Sequence, residues 1–269
     1  MVCPAPDLGL KVTDLLDTAH ALRAEGRFRE ALEHAREVIA LLEGPVAIER
    51  FGRAALPYCV ASATAAACLG ELGDHPGALA LIARGRAVAG AAGHPYSQAV
   101  LAIADGQALA CAGRAAEAIS LLESAVATCR EQDLDDQLIS ALSSLGHAYA
   151  LAGRGADAVS AVQESIDMQG RGAASVSRTH QSTVLAAGHL VMGDLNHASR
   201  ALEQALAFAE EHGERGLEGW ARLTAAELAL ARDNRVEAEQ QLDAAQEIAE
   251  ELEMAPLVAR CRALARRLA

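Results

Sequence analysis

The side chains best suited to proton transfer are one carboxylate and several histidines spread along the chain. Asp105 sits in an apolar stretch where a carboxylate would be partly buried and would need a partner, and His147 and His180 follow it. A buried acid beside two imidazoles could exchange protons with a substrate or bind a small molecule. This enzyme or sensor hypothesis requires the three side chains to converge within hydrogen-bonding distance. The alternative is that Asp105 points to solvent and the histidines are surface or hydrogen-bonded core residues.

Recognised catalytic and metal-binding motifs are absent from the sequence. It contains no His-Glu-x-x-His, no Gly-x-Ser-x-Gly and no Gly-x-x-x-x-Gly-Lys-Ser/Thr phosphate loop, and its only lysine is Lys11. The six cysteines are far apart, which is typical of buried free thiols rather than of a zinc or redox pair. His94, His147, His180 and His189 come from different repeats, so the sequence leaves open whether any two converge, and a surface or hydrogen-bonded core position is the simpler interpretation of each. We therefore predict no catalytic residue, no metal site and no cofactor.

The charge balance argues against a direct nucleic-acid partner. The formal net charge is −13, with 36 acidic and 23 basic residues, whereas nucleic-acid binders normally present a basic stripe. The one basic cluster, residues 260–267, is better explained by the negative end of a terminal helix dipole. The acidic stretches 203–214 and 237–253 are most simply solvated helix faces, with a docking surface for a basic partner as the alternative.

The termini and apolar runs give no sign of a membrane or secretory segment. The first residues lack a charged segment followed by an apolar one, and no apolar run reaches the ~20 residues that a membrane span needs. We predict a cytoplasmic protein without membrane contact. The sequence leaves the oligomeric state open.

Composition favours an all-helical fold. Apolar residues make up 52% of the 269-residue chain but aromatic residues only 3%, and alanine and leucine dominate over the β-branched types that strands prefer. Alanine is the strongest helix former because it loses no side-chain entropy in a helix. Many alanines also allow helices to pack closely together.

A motif that recurs six times defines the elements. A turn residue, usually Gly, is followed five residues later by Ala, and successive turn residues are 47, 40, 40, 40 and 40 residues apart. Equal spacing of this kind is the signature of a repeat architecture. The turn residues are Gly26, Gly73, Gly113, Gly153, Gly193 and Asp233.

Each motif predicts a helical hairpin. Glycine ends the first helix, because it adopts positive φ without steric cost. Small residues recur seven before and five after the turn residue, where the two helices must approach closely. A larger residue follows four positions later on the same helix face in most repeats. Hairpins of this kind bury their apolar sides only against neighbouring hairpins, so we predict a stacked solenoid.

The predicted boundaries form one domain over residues 1–269. Prolines at positions 57, 76, 95 and 256 fall where helices should begin, which proline tolerates. Residues 170–175 are predicted to form a loop, and a final amphipathic helix to carry Leu257, Cys261, Leu264 and Leu268 on one side. The predicted units are repeats at approximately 12–44, 56–92, 95–131, 136–169, 176–212 and 216–253, and a C-terminal capping helix at 256–268.

This pattern of small residues resembles the tetratricopeptide repeat (TPR), in a form with a period of 40 rather than 34. The resemblance covers residues 12–254 and implies an all-α, right-handed α-solenoid of about six hairpins. The chain departs from the family consensus in its aromatic residues. Only Tyr149 stands where the family often has tyrosine.

A narrower resemblance points to a bacterial regulatory context. Stretches such as Gly93-His-Pro-Tyr-Ser97 and Gly213-Glu-Arg-Gly-Leu-Glu-Gly-Trp-Ala221 look like parts of the C-terminal repeat region of class III adenylate cyclases and LuxR-type regulators with a signal-transducing ATPase. In that family the repeat region is taken to be the sensor or partner-binding arm. Because no ATPase, cyclase or DNA-reading motif is present, the resemblance implies a binding module without catalytic activity.

In a TPR-like solenoid the first helix of each hairpin faces the concave side. Groove-facing positions lie thirteen, ten, six, three and two residues before the turn residue. An apolar groove with a few polar side chains suits an extended peptide or an amphipathic helix, and tryptophan is enriched at binding hot spots. The polar and aromatic candidates are His20, Arg23, Glu71, Gln107, Ser140, Ser143, His147, His180, Thr183, Trp220 and Glu227.

Three functions are therefore open at the level of sequence. The first is a non-catalytic interaction or signal-sensing module that binds a protein or peptide partner in the groove. The second is a small-molecule-binding or catalytic repeat protein that uses Asp105, His147 and His180. The third is a regulator separated from its output domains, which differs from the first in biological role but not in binding physics. For Trp220, packing beneath the 213–216 turn is the alternative to a role as anchor.

Overall fold

The computed structural model describes residues 6–170 and 176–268. Within these ranges the chain forms thirteen α-helices, one short 3₁₀ helix (Gly44–Ile48) and no strands. The predicted loop at 170–175, except for Gly170, and the N-terminal residues 1–5 lie outside the described residues. The helices are α1 Pro6–Ala24, α2 Phe28–Leu41, α3 Pro57–Leu72, α4 His75–Ala91, α5 Pro95–Cys111, α6 Ala115–Glu131, α7 Asp135–Leu151, α8 Gly155–Gln169, α9 Arg178–Val191, α10 Leu195–His212, α11 Arg215–Ala231, α12 Arg235–Glu251 and α13 Ala255–Leu268.

The turn residues have the backbone conformation that the motif predicts. The five glycines have φ between 74° and 87°, and Asp233 takes the same left-handed conformation with φ of 56°. Where the next residue is Asp74, Asp194 or Asn234, its side chain accepts a hydrogen bond from the backbone N–H three residues later. These N-caps start the second helix of the hairpin.

The small residues of the motif lie where the two helices of a hairpin meet. A Cβ atom added to Gly106 would lie 2.4 Å from Cγ of Leu122, and one added to Gly146 would lie 2.4 Å from Cγ2 of Val162. All six alanines that follow the turns are fully buried. The predicted close approach of the helices is therefore confirmed, and it explains why only glycine or alanine fits.

The hairpins stack into two layers. The first helices α1, α3, α5, α7, α9 and α11 contact one another in sequence and form the inner layer, while each second helix packs between its own partner and the first helix of the next hairpin. This arrangement is the predicted all-α solenoid. The extra residues between the first and second hairpins form the 3₁₀ helix Gly44–Ile48 and the segment up to Pro57.

The solenoid completes one circuit and its end packs against its beginning. Helix α13 contacts α3 as well as α11 and α12. One apolar cluster contains buried residues from the first three and the last three helices, including Leu16 on α1, Leu223 on α11 and Cys261 on α13. The apolar face predicted for the last helix is confirmed, but this helix closes the circuit in addition to covering the end of the stack.

Glycines at turns allow the two ends to approach. A Cβ atom added to Gly26 would lie 2.6 Å from Cδ1 of Leu252, and one added to Gly216 would lie 2.9 Å from Cζ of Phe28. At the same motif position in a middle hairpin, Gly113 has no atom within 4 Å of such a Cβ. Gly26 therefore serves both the hairpin turn and the closure of the circuit.

Further contacts extend the closure along one edge. A Cβ atom on Gly73 would lie 2.9 Å from Cβ of Ala255, and Arg29 forms a forked ion pair with Glu253. The ion pair is exposed and contributes little by itself. The apolar cluster shared by the two ends therefore stabilises the closure more than this exposed ion pair does.

Candidate functional site

Two rows of inner-helix side chains face the enclosed space. The positions six residues before the turn are half-buried or exposed in every hairpin, and so are those thirteen before it. By contrast, the positions ten residues before the turn are mostly buried between neighbouring inner helices, as at Ile103 and Leu223. We call the space bounded by the first two rows the lumen. The polar and aromatic residues of these rows are Thr13, His20, Gln107, Ser140, His147, His180, Trp220 and Glu227, and Arg260 on α13 joins them.

The lumen is narrow. Helix axes in contact lie about 8–10 Å apart, so about six inner helices in a circuit place their axes about 8–10 Å from the centre. A helix with its side chains has a half-width of about 5 Å, which leaves an opening of about 6–10 Å. Side chains from helices that are distant in the chain consequently interact across it.

His147 and His180 meet in the lumen. Their rings, from α7 and α9, make an edge-to-face contact with centroids 5.7 Å apart. Burial, followed by the nearby His180 and Arg260, lowers the pKa of His147 to about 3. Burial and then Arg23 lower the pKa of His180 to about 4, against an opposing effect of Glu214. Both imidazoles are therefore neutral at physiological pH.

Arg23 is an exposed residue near the end of α1, and its positive charge acts on residues that line the lumen. Its charge lowers the pKa of His20 on its own helix and of His180 on α9, after the larger effect of burial at each site. Among the residues that the structure describes, Arg23 makes no hydrogen bond and no ion pair. A guanidinium in this setting is a candidate binding group for a carboxylate.

Trp220 bridges the two ends of the circuit. Its indole N–H on α11 donates a hydrogen bond of 3.2 Å to the Glu71 carboxylate on α3. Burial raises the pKa of Glu71, while the bond from Trp220 and the charge of Arg23 act in the opposite direction. The indole also packs against the apolar cluster that joins the ends. The indole therefore contacts α3, on the opposite side of the closure from its own helix.

Arg260 is a lumen residue that sequence reasoning missed. It lies on α13, contacts Glu227 at 3.4 Å and lowers the pKa of His147. The sequence interpretation of this arginine weighed the dipole of the last helix against a nucleic-acid contact and did not consider the lumen. Extending the period of 40 by one more repeat places residue 260 in the row of Trp220 and His180, and this extension could have identified it.

The other predicted groove residues vary in accessibility. His20 is hydrogen-bonded to the Thr64 hydroxyl at 3.0 Å, and the exposed Gln107 donates to Ser144 at 2.8 Å. Ser140 and Thr183 are half-buried, and each hydroxyl donates to a backbone carbonyl of its own helix. Ser143, however, is only 1% exposed and belongs to the row packed between inner helices, so it presents no surface to the lumen.

Asp105 does not join the two histidines. Its carboxylate is 16% exposed and forms an ion pair of 2.6 Å with Arg86 on the outer helix α4. The predicted need for a partner is met, but by an arginine outside the lumen. Within the described residues no hydrogen bond links Asp105 to His147 or His180, so the proposed acid–imidazole constellation is not assembled.

The five cysteines that the structure describes show no activation of their thiols. Cys59, Cys68, Cys129 and Cys261 are buried and free, as expected from their spacing, and burial raises the pKa of Cys68 to about 11. The Cys111 residue is partly exposed at the end of α5, but desolvation of its thiol, followed by the charge of Glu71, raises its pKa to about 12. A nucleophilic cysteine needs a lowered pKa.

No helix in the described part of the chain is long and apolar enough to cross a membrane.

Comparisons with known proteins identify structural but not sequence relatives. No protein-family model matches the chain, and no curated protein sequence matches it. The Rap conjugation gene regulator of plasmid pLS20, in complex with a Phr peptide, has a TM-score of 0.68 at 12% identity and covers 97% of this chain and 75% of its own. The apo form of RapI has a TM-score of 0.66 at 11% identity, over 90% of this chain and 84% of its own.

A third likeness is weaker and is to part of a larger protein. A signal transduction ATPase with numerous domains and a tetratricopeptide repeat sensor, from Pyrococcus horikoshii, has a TM-score of 0.51 at 16% identity. The match covers 93% of this chain and 38% of that one. At these identities the likenesses establish the fold and nothing further: the chain is an all-helical solenoid of the tetratricopeptide-repeat-like kind.

Proposed function

We propose that this chain is a non-catalytic interaction module that binds an extended peptide, or an extended segment of a partner protein, in its lumen. The observation that carries the proposal is the exposed guanidinium of Arg23, which has no hydrogen-bond or ion-pair partner among the described residues and acts on the lumen residues His20 and His180. The binding of a peptide carboxylate would give this group the partner that the described residues do not supply.

The width of the lumen selects the form of the partner. An α-helix with side chains is about 10–12 Å across and exceeds an opening of about 6–10 Å. An extended chain needs about 5 Å in one direction and about 10 Å in the other. An extended segment therefore suits the lumen better than the amphipathic helix that the sequence also allowed.

The lining suggests what the segment carries. Arg23 suits an acidic side chain or a C-terminal carboxylate, and the paired Arg260 and Glu227 offer both signs of charge further along. Val60 and Val100 are half-buried in the same row as Trp220 and provide apolar surface. We expect a peptide with one carboxylate and at least one bulky apolar side chain.

The comparisons support a regulatory setting. The structure of the Rap regulator of pLS20 is that of a complex with a Phr peptide, and the ATPase from Pyrococcus horikoshii has a tetratricopeptide repeat sensor. These facts belong to those proteins. Together with the resemblance to the repeat arms of bacterial regulators, they favour a signal-sensing role for this chain in a bacterial regulatory system.

Peptide selection tests the proposal directly. Random peptides displayed on phage are selected on the purified chain, and the enriched sequences are synthesised and titrated by isothermal calorimetry. A charge-assisted hydrogen bond contributes about 1.5–3 kcal/mol, so Arg23→Gln should weaken binding about 10–100-fold. The matched control is Arg130→Gln, because Arg130 lies on the outer helix α6 and pairs with Glu164 at 2.6 Å.

A second variant tests the location. Ala187 is half-buried in the lumen row of His147, so Ala187→Trp should obstruct the space and abolish binding while circular dichroism shows an unchanged helix content. Equal affinity for the wild type and Ala187→Trp would refute binding in the lumen. Equal affinity for the wild type and Arg23→Gln would refute the role of the guanidinium.

A further inference from the structure

The turn between α9 and α10 differs chemically from the corresponding turns in the other hairpins. Three positions are equivalent in every repeat: four residues before the turn residue, one after it and four after it. In the fifth hairpin they are His189, Asp194 and His197. All three offer metal-ligating atoms, and we propose that together they form a zinc-class divalent metal site at this edge of the solenoid.

The other hairpins show what the scaffold itself requires at these positions. The residue four before the turn is Leu in the first three hairpins, Tyr149 in the fourth and Ala229 in the sixth. The other two positions hold an ion pair at three of the turns, with N···O distances of 2.5–2.6 Å. These pairs are Arg27–Glu30, Arg114–Glu117 and Arg154–Asp157.

Fold maintenance therefore explains Asp194, which caps α10, but not the two histidines of the fifth turn. A leucine or tyrosine and an arginine–carboxylate pair satisfy the same backbone elsewhere. At the second turn only Asp74 is a ligand type, beside Leu69 and Gly77. Of the six turns, only the fifth has a metal-ligating residue type at all three positions.

The three side chains are already close to a common centre. The Asp194 Oδ2 atom lies 2.6 Å from Nδ1 of His197 and 3.8 Å from Nδ1 of His189, and the two imidazole rings stack with centroids 5.0 Å apart. One ligand atom from each residue lies within 4.8 Å of the others. Tetrahedral zinc with bonds of about 2.0–2.1 Å holds its ligand atoms about 3.3 Å apart. Small side-chain rotations would reach this geometry.

One atom of the cluster has an unmet bonding requirement. Nδ1 of His189 is buried and has no hydrogen-bond partner, because the Asp194 carboxylate at 3.8 Å is too far away. A buried polar atom without a partner is costly, and a metal ion would satisfy it. Oδ1 of Asp194 accepts the backbone N–H of His197 at 3.1 Å, which fixes the carboxylate. Oδ2 contacts Nδ1 of His197 at 2.6 Å, and metal binding would replace this contact with two bonds to the ion.

The donor set defines the class of ion. Two imidazole nitrogens and one carboxylate oxygen, without sulfur, suit zinc and the neighbouring first-row divalent ions better than magnesium or calcium. Three protein ligands leave a fourth position for water or for a group from a partner. Sequence inspection for standard motifs predicts no metal site, because these ligands flank a hairpin turn with a spacing that such motifs do not include.

Metal titration tests the proposal without reference to any activity. The purified chain is freed of metal with a chelator and titrated with zinc alone by calorimetry and with cobalt by visible absorption. We expect one equivalent bound, a four-coordinate cobalt spectrum and a rise in melting temperature with zinc. His189→Leu and His197→Gln should each weaken zinc binding at least 10-fold, whereas the exposed His212→Gln should leave it unchanged.

A reversal variant addresses folding. The combination His189→Leu, Asp194→Arg and His197→Glu installs the three residues found at the third turn, so it should fold and bind no zinc. Absence of zinc binding by the wild-type chain at micromolar concentrations would overturn the proposal. Undiminished binding by the reversal variant, or binding lost on His147→Gln instead, would overturn it as well.

Discussion

The neutral histidine pair in the lumen predicts how stability depends on pH. In the unfolded chain His147 and His180 have the ordinary pKa of about 6.5, whereas in the folded protein these values are lowered to about 3 and about 4. Above pH 6.5 both groups are neutral in the folded and the unfolded state, so protonation does not reduce the free energy of unfolding. As the pH falls below 6.5 the unfolded chain binds protons and the folded protein does not. The free energy of unfolding therefore decreases on acidification.

The magnitude follows from the two pKa values. At about pH 5, protonation of one imidazole with a pKa of 6.5 stabilises the unfolded chain by about 2 kcal/mol, whereas the folded protein is hardly stabilised because its imidazoles stay neutral. The two histidines together give an upper value of about 4 kcal/mol. Because both rings are partly accessible from the lumen, solvent screening reduces this figure, and we expect about 2–4 kcal/mol for the pair.

Urea unfolding at about pH 7.5 and about pH 5, followed by far-ultraviolet circular dichroism, measures this difference. The double variant His147→Gln and His180→Gln should lose less stability between the two pH values than the wild type, by the amount assigned to the pair. The exposed His212→Gln serves as control and should behave as the wild type does. If the double variant loses as much stability on acidification as the wild type, the histidines are not held neutral in the folded lumen and the description of that space is wrong.

Two glycine comparisons test the packing through urea unfolding. Gly26→Ala and Gly113→Ala each place a side chain at positive φ, which costs about 1–2 kcal/mol of stability. Only Gly26→Ala adds a clash at the closure, so its free energy of unfolding should fall by at least ~1 kcal/mol more. Equal losses of stability would argue against the closed circuit. Gly106→Ala should destabilise the protein by about 1–3 kcal/mol because its Cβ would meet Leu122, whereas Gly70→Ala, with nothing nearby, should stabilise it by about 0.5–1 kcal/mol. A stabilising Gly106→Ala would contradict the close approach of these helices.

Much of the fold could be predicted from sequence because its determinants are local. A turn residue that tolerates positive φ, such as Gly153, ends a helix by its own conformational freedom. A proline such as Pro95 starts the next helix because it lacks an N–H that would go unused there. The small residue at position 146 is required by one neighbouring helix only. Each of these effects acts within a single hairpin, so the repeat itself displays it.

The candidate site could be predicted only in part. The inner faces containing His147, His180 and Trp220 follow from the period, since residues at one offset occupy one helix face. The same offsets included Ser143, which the structure buries, because the angle between adjacent inner helices decides which row is covered. Asp105 needed a partner, as its apolar surroundings indicated, but the partner is Arg86 from an outer helix.

What the sequence determined by itself is the class of fold, the six hairpins and the small residues that hold their helices together. The tertiary structure alone decided that the solenoid closes, that Gly26 and Gly73 also serve the contact between its ends, and that Arg260 reaches the lumen. The reason is that curvature accumulates from small rotations between successive hairpins. No residue encodes this sum locally, although it determines which distant side chains finally meet.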